Sequence, residues 1–125
     1  MIVGTGIDIE EVSRIRGAIE RHGRRFIERI FTPAETAYAE QAVNPYERYT
    51  ARFAAKEAGM KALGTGWDHG IRWVDVEVVS QPKSRPSLRF HGRAADRAAS
   101  LDCRSISLSL SHTRQMAVAQ VILES

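Results

Sequence analysis

The chain has 125 residues, of which 43% are hydrophobic and 26% are charged, which is typical of a globular protein and excludes a disordered one. This length fits one domain, and no apolar run approaches the roughly 20 residues that a membrane helix needs. The single cysteine, Cys103, excludes an internal disulfide framework and a cysteine-based zinc cluster. It suits a reducing compartment, and the first residues do not resemble a signal peptide. We therefore expect one cytoplasmic domain, residues 1–125, with no membrane segment.

The net charge is only +3, but 15 of the 18 basic residues are arginine, which suits bidentate recognition of phosphate and carboxylate. Between Ser13 and Ile27 there are five arginines and one glutamate. This stretch is either a solvated helix face or a docking surface for an acidic partner. Nucleic acid is the less favoured partner, because the net charge is low and no aromatic residues interleave the arginines.

The first half of the chain predicts one strand followed by helices. Residues 2–8 alternate so that two glycines and Asp8 share one face of a strand. Residues 11–30 have helical spacing with a break at His22-Gly23. Two further helices have clear start signals, one at Thr32-Pro33 and one at Asn44-Pro45. We expect the second of them to end near Leu63, where Gly64 can adopt a left-handed cap.

The second half predicts mainly strands. We expect strands at 71–79 and 87–90, a short helix at 92–100, and a hairpin of 105–111 and 116–123 with His112 in its turn. In the first strand of that hairpin, serines alternate strictly with apolar residues. Strands at both ends of the chain with helices between them indicate an α+β fold, a small antiparallel sheet packed with helices.

Glu57 is the first candidate for chemistry, because it lies only about 40° from Phe53 around the helix that begins near Pro45. We therefore expect its carboxylate to point inward, where it needs a partner. Lys61, one turn further on, is one candidate, and Arg52 or Lys56 is the other. The alternative is an ordinary ion pair between Glu57 and Lys61 on the helix surface.

Asp8 is the second candidate, since it is the one charged residue of its predicted strand and stands at the strand's end beside Gly6. Two carboxylates from different elements, with a cationic side chain nearby, suit Mg²⁺ and a phosphate ester. Mg²⁺ usually takes one or two protein carboxylates and fills its other positions with water and phosphate oxygens. The alternative is that Asp8 caps the helix beginning near Glu10 or Glu11.

Two weaker signals concern phosphate. His112 in the hairpin turn is either solvated or a donor to a phosphate. The segment Gly64-Thr65-Gly66 could bind a phosphate, but it lacks the spacing of a P-loop, and helix capping explains Gly64 equally well.

Four segments together resemble bacterial holo-acyl-carrier-protein synthases, the small type of 4′-phosphopantetheinyl transferase. They are residues 4–10 (GTGIDIE), 52–62 (RFAAKEAGMKA), 64–66 (GTG) and 109–113 (SLSHT). The resemblance spans nearly the whole chain in order, and the pair of Gly-x-Asp and Phe-x-x-Lys-Glu-x-x-x-Lys is specific. It implies a transferase-like α+β fold and transfer of the phosphopantetheine arm of coenzyme A to a serine of an apo acyl carrier protein, with release of adenosine 3′,5′-bisphosphate.

The resemblance also implies roles for individual residues. Asp8 and Glu57 match Mg²⁺ ligands, and with Lys61, which matches a lysine beside the pyrophosphate, they are the expected catalytic residues. Contacts to coenzyme A are expected from Arg52, Lys61, Gly64, Thr65 and His112. An acidic carrier protein would dock on the first helix at Arg14, Arg21 and Arg24. Family members are homotrimers with active sites at subunit interfaces, where His112 would meet the adenosine end of coenzyme A.

Two other functions compete with this expectation. One is a non-enzymatic basic adaptor that binds an acidic protein or RNA through its arginines. The other is a hydrolase of nucleotide phosphates that uses the same pair of carboxylates. The sequence does not indicate which carrier protein would be served.

Overall fold

The computed structural model describes all 125 residues, apart from the side chain of Asp68. Its helices are α1 (Val12–His22), α2 (Arg24–Ile30), α3 (Pro33–Glu40), α4 (Tyr46–Leu63) and α5 (Gly92–Ser100), and short 3₁₀ helices span Gly66–His69 and Trp73–Asp75. Its strands are β1 (Ile2–Glu11), β2 (Val76–Val79), β3 (Ser87–Phe90), β4 (Ser105–His112) and β5 (Met116–Glu124). Among the described residues, no helix is long and apolar enough to span a bilayer.

An antiparallel sheet of three strands, in the order β1-β5-β4, packs one face against α4. The inward side chains of β5 are fully buried and meet the alanine-rich side of α4, which includes Ala54 and Ala58. A second small sheet pairs β2 with β3 and covers another side of the same helix. Helix α4 is therefore the centre of the fold, which is the α+β arrangement expected.

Close contact between β1 and α4 depends on Gly4 and Gly6. A Cβ atom on Gly6 would lie 1.9 Å from the carbonyl oxygen of Ala58, and one on Gly4 would lie 2.1 Å from that of Ala62. Both distances are far below van der Waals contact, so any side chain at either position would push the strand off the helix. The two glycines therefore bring the next inward residue of β1, Asp8, against α4.

Three of the predicted helix boundaries are confirmed by their caps, whereas α4 has Pro45 rather than Asn44 as its N-cap residue and no side-chain cap. Thr32 and Glu35 form a reciprocal capping box at the start of α3. Gly64 ends α4 with a φ of +78°, and Gly23, with a φ of +57°, separates α1 from α2. At the start of α4 the Asn44 side chain accepts a hydrogen bond from the backbone N–H of Tyr46.

Three local predictions are wrong. Strand β1 does not end at Asp8 but continues to Glu11, because its partner β5 extends to Met116 opposite it. Asp8 therefore lies inside a strand, and it caps no helix. The strand expected at 71–79 begins only at Val76, after the 3₁₀ turn Trp73–Asp75. His112 is the last residue of β4, paired with Ala117, rather than a turn residue.

Candidate active site

Asp8 and Lys61 meet where β1 crosses α4. The ammonium of Lys61 lies 3.1 Å from Asp8 Oδ1 and donates a second hydrogen bond, 2.9 Å long, to the carbonyl oxygen of Ile7. The Asp8 side chain is 10% exposed and that of Lys61 is 53% exposed, so the pair opens to solvent on the lysine side. Lys61 therefore pairs across elements with Asp8, and the surface ion pair within α4 between Glu57 and Lys61 is not formed.

Glu57 stands one helical turn before Lys61 and is half-buried, as its position on the helix predicted. Burial raises the pKa of its carboxyl, and the nearby charge of Asp8 raises it further. The Trp67 indole and the Lys61 ammonium act in the opposite direction. Asp8 and Glu57 therefore share one site and repel each other, which is the arrangement that a bound cation relieves.

Glu10 is a third carboxylate at this site, and the sequence reasoning missed it. It lies two residues after Asp8, on the same face of β1, and is buried at 9% exposure. Burial and then its contact with Asp8 raise the pKa of Glu10 to about 8, while Arg14, 3.9 Å away, acts against this. The two-residue period of a strand could have identified it, but only once residues 9–11 are recognised as strand.

The site fits a hard divalent cation. Asp8 Oδ2 is buried and accepts no hydrogen bond from any described atom, so one carboxylate oxygen lacks a partner. No three histidine, cysteine or acidic side chains among the described ones form a complete metal centre. Mg²⁺ does not need such a centre, because it usually takes one or two carboxylates and completes its shell with water and substrate phosphate. Asp8 and Glu57 are the pair that can serve it.

A cationic cavity lies at the other end of α4. It has a volume of about 870 Å³ and lies between α3, α4, the loop 80–86 and the end of β4. Arg52 is 3% exposed and has its guanidinium 3.8 Å from the Tyr38 ring centre, where it donates to the Ser80 hydroxyl. His112 Nδ1 lies 3.3 Å from Glu47 Oε1 on the same wall. Such a cavity suits a ligand that is both planar and anionic.

The residues predicted to bind coenzyme A are not all in one place. Arg52 and His112 line the cavity. Lys61 stands with Asp8, and neither lines it. Gly64, the C-cap residue of α4, and Thr65, which follows it, do not line the cavity. The Thr65 hydroxyl contacts the sulfur of Met60 and a backbone oxygen. Within one chain, the carboxylate site and the cavity are separate.

The arginines of α1 and α2 form a solvated face. Arg14 is 75% exposed, and Arg21 is also exposed. Arg24 is 3.4 Å from Glu40 and is partly neutralised by it. This face begins directly after the carboxylate site, because α1 follows β1 without a loop.

Comparison with known proteins agrees with this geometry. Residues 4–119 match the family model described as the 4′-phosphopantetheinyl transferase superfamily. The chain is 56% identical, over 99% of both chains, to the holo-[acyl-carrier-protein] synthase of Solibacter usitatus. It belongs to the holo-acyl-carrier-protein synthase family of phosphopantetheinyl transferases.

Solved structures of this family share the fold. The chain superimposes on the holo-[acyl-carrier-protein] synthase of Neisseria meningitidis with a TM-score of 0.90 and 30% identity, covering both chains fully. The Bacillus anthracis enzyme, in complex with CoA (3′,5′-ADP), gives a TM-score of 0.82 and 38% identity over 100% of this chain and 98% of that one. The predicted fold and enzyme class are confirmed, and neither the adaptor nor the hydrolase hypothesis gains support.

Proposed function

We propose that this chain transfers the 4′-phosphopantetheine arm of coenzyme A to a serine hydroxyl of an apo acyl carrier protein and releases adenosine 3′,5′-bisphosphate. The observation that carries the proposal is the site of Asp8, Glu57 and Lys61. It combines two mutually repelling carboxylates, one of them with an unpartnered buried oxygen, and a half-exposed ammonium. Its residues lie within the segment that matches the family model.

The reaction makes one phosphorus–oxygen bond and breaks another. The serine oxygen bonds to the β-phosphorus of the coenzyme A pyrophosphate, and the bond from that phosphorus to the bridging oxygen breaks. The bridging oxygen leaves with adenosine 3′,5′-bisphosphate, and the proton of the serine hydroxyl is released to solvent. Negative charge then accumulates on the non-bridging and leaving oxygens. Bound at Asp8 and Glu57, Mg²⁺ would supply positive charge there. Lys61 would add a second positive charge and donate to a phosphate oxygen, since its side chain is exposed enough to reach solvent-side ligands.

Coenzyme A would also use the cationic cavity. Arg52 and His112 on its walls suit the adenosine and its phosphate, while Gly64 and Thr65, at the end of α4, would contact another part of the cofactor. Because the cavity and the carboxylate site are separate within one chain, we infer that the working site forms between subunits.

A homotrimer with interfacial sites would supply this arrangement. On the outer face of β1, Ile7 and Ile9 are 61% and 60% exposed, an apolar surface that a second copy could cover. Light scattering at micromolar concentration should give three times the chain mass, and a monomeric mass would contradict the inference.

The carrier protein would dock on the arginine face, at Arg14, Arg21 and Arg24. This face is exposed, and it starts beside the carboxylate site, so an acidic partner held there by charge would have its serine close to the phosphates. A cytoplasmic location is our expectation from the single cysteine, and magnesium dependence from the carboxylate pair.

The test is the intact mass of an apo acyl carrier protein after incubation with this chain, coenzyme A and Mg²⁺. We expect the carrier to gain one phosphopantetheine arm, and EDTA to prevent the gain. Glu57→Gln should abolish transfer, whereas Asp96→Asn, the same type of change at an exposed position of α5, should not affect it. A wild-type rate for Glu57→Gln at saturating Mg²⁺ would refute the cation assignment. The absence of any gain with several carriers would refute the transferase proposal.

A further inference from the structure

Trp67 carries a buried polar atom with no partner. Its indole Nε1 is inaccessible to solvent and makes no hydrogen bond to any described atom. Buried donors in native proteins are nearly always paired, so a donor left without a partner in the ligand-free protein calls for an explanation. Trp67 lies in the 3₁₀ turn after α4, and no sequence motif marks it.

An aromatic stack fixes the orientation of this indole. The Trp67 ring lies 4.0 Å from that of Trp73, and the Trp73 ring lies 5.0 Å from that of Phe53, each pair nearly parallel. Phe53 is one helical turn before Glu57 on α4. The stack therefore ties the turn that carries Trp67 to the part of the helix that carries Glu57.

A buried ion pair holds the middle of the stack in place. The Lys56 ammonium, fully buried, donates to the backbone carbonyl of Trp73 at 3.1 Å and pairs with Glu35 at 2.7 Å. Lys56 precedes Glu57 directly on α4. One end of the stack, Phe53, belongs to α4, and its middle ring, Trp73, is held by the residue before Glu57, which leaves the indole little freedom to turn away.

The Glu57 carboxylate is the candidate acceptor for this donor, because it lies one turn after Phe53, to which the stack is joined, although no hydrogen bond connects the two side chains in the ligand-free protein. The Trp67 indole is the one uncharged group that acts on the pKa of Glu57, and it favours the charged carboxylate against burial and against Asp8. Contacts of this kind are often loose in a ligand-free site and tighten when the site is filled.

We propose that the Trp67 indole N–H is the hydrogen-bond donor that holds the Glu57 carboxylate in its cation-binding orientation, which makes Trp67 a positioning residue for the transfer reaction. The proposal rests on the function proposed above. Partners of this kind, which orient a ligand to a metal without touching it, are worth about 10–100-fold in metal affinity or activity.

The first test observes the hydrogen bond without any reaction. The chain has two tryptophans, so ¹⁵N-labelled protein has two indole N–H signals, which Trp67→Phe assigns. We expect Glu57→Gln, and separately Mg²⁺ alone, to shift the Trp67 signal and to leave that of Trp73 nearly unchanged. If the chemical shift of the Trp67 indole N–H is unchanged by Glu57→Gln, the proposal is overturned, even if transfer by the wild-type protein proceeds normally. Glu57→Gln leaves Trp67 intact, so this test does not depend on whether a tryptophan variant folds.

The second test separates positioning from packing. Trp67→Phe keeps a ring in the stack and removes the N–H, and we expect it to raise the Mg²⁺ concentration for half-maximal transfer about tenfold or more, with the KM for coenzyme A little changed. Trp73→Phe is the matched control, since it makes the same change elsewhere in the stack, and should leave both constants near wild type. Equal effects of the two variants on the Mg²⁺ requirement would show a packing role and overturn the proposal. A carrier that is never modified would refute the proposed function instead.

Discussion

Replacing Gly6 with alanine should separate β1 from α4 and disable the site. The added Cβ would lie 1.9 Å from the Ala58 carbonyl oxygen and 2.8 Å from the Ala62 nitrogen, and both are backbone atoms of a buried helix. An ordinary carbon–oxygen contact is about 3.3 Å, so the strand would have to move outward by roughly 1.4 Å. Overpacking of this kind costs about 1–3 kcal/mol where side chains can adjust. Because only backbone can move here, we expect about 3 kcal/mol or more.

The same displacement affects activity. Asp8 is the next inward residue after Gly6, so it would move away from Glu57 and Lys61 on α4. A misplacement of about 1 Å can cost roughly 100-fold in rate, and we expect at least that loss of transfer. The melting temperature should fall by about 10 °C or more, since each kcal/mol corresponds to a few degrees for a chain of this size.

Gly17→Ala is the matched control. Gly17 lies inside α1, and its added Cβ would meet only the mobile end of Arg21 at 3.2 Å. Alanine is favoured over glycine in a helix by about 1 kcal/mol, so this variant should melt at or above the wild-type temperature. Calorimetry gives the melting temperature of both variants, and the mass assay gives their rates of transfer. If Gly6→Ala melts within a degree or two of wild type and transfers normally, the close approach of β1 and α4 does not position the site.

Three further predictions follow from other contacts. Lys56→Met should lower the free energy of unfolding in urea by about 3–5 kcal/mol, because it leaves the Glu35 carboxylate buried without a cationic partner. A loss below about 1 kcal/mol would show that the ion pair contributes little to stability. The pKa of Glu10 is about 8 in the folded protein and 4.5 in the unfolded chain, so between these values the folded state holds a proton that the unfolded chain releases. In EDTA, the free energy of unfolding should therefore fall as the pH rises from about 5 to 8. Glu10→Gln should therefore gain stability over wild type at pH 8 and little at pH 5, and a gain independent of pH would contradict this. Arg21→Glu should raise the KM for an acidic carrier protein but not that for coenzyme A, with the difference shrinking at high salt; unchanged carrier kinetics would exclude this arginine from docking.

Features encoded by neighbouring residues could be predicted from the sequence. The capping box of Thr32 and Glu35 and the left-handed Gly64 lie where the local pattern placed them. Such signals act within a few residues, so no knowledge of the rest of the chain is needed. The inward orientation of Glu57 was predictable for the same reason, since helical periodicity places it beside Phe53.

Features that depend on distant partners could not be predicted. Residues 9–11 have a pattern that permits a helix start, and only pairing with β5 extends the strand through them. The same pairing places Glu10 beside Asp8. Lys56 has no local signal that distinguishes it from a surface lysine, and its burial follows from the position of Glu35 on another helix. The burial of the Trp67 indole N–H without a partner likewise depends on the turn after α4 packing against Trp73, which the local sequence does not encode.

The cluster of three carboxylates between β1 and α4 destabilises the ligand-free protein. Gly4 and Gly6 bring a strand into backbone contact with α4, and this contact carries Asp8 and Glu10 towards Glu57, so that three carboxylates lie where their charges disfavour one another. The Lys61 ammonium beside Asp8 and the Arg14 guanidinium beside Glu10 offset part of this charge, and one oxygen of Asp8 remains without a partner. Replacing buried charged groups with apolar side chains of similar volume is often neutral or stabilising, so stability alone does not account for these carboxylates. The proposed binding of a cation and of phosphate would account for them, and such binding should stabilise the fold as well as the transition state.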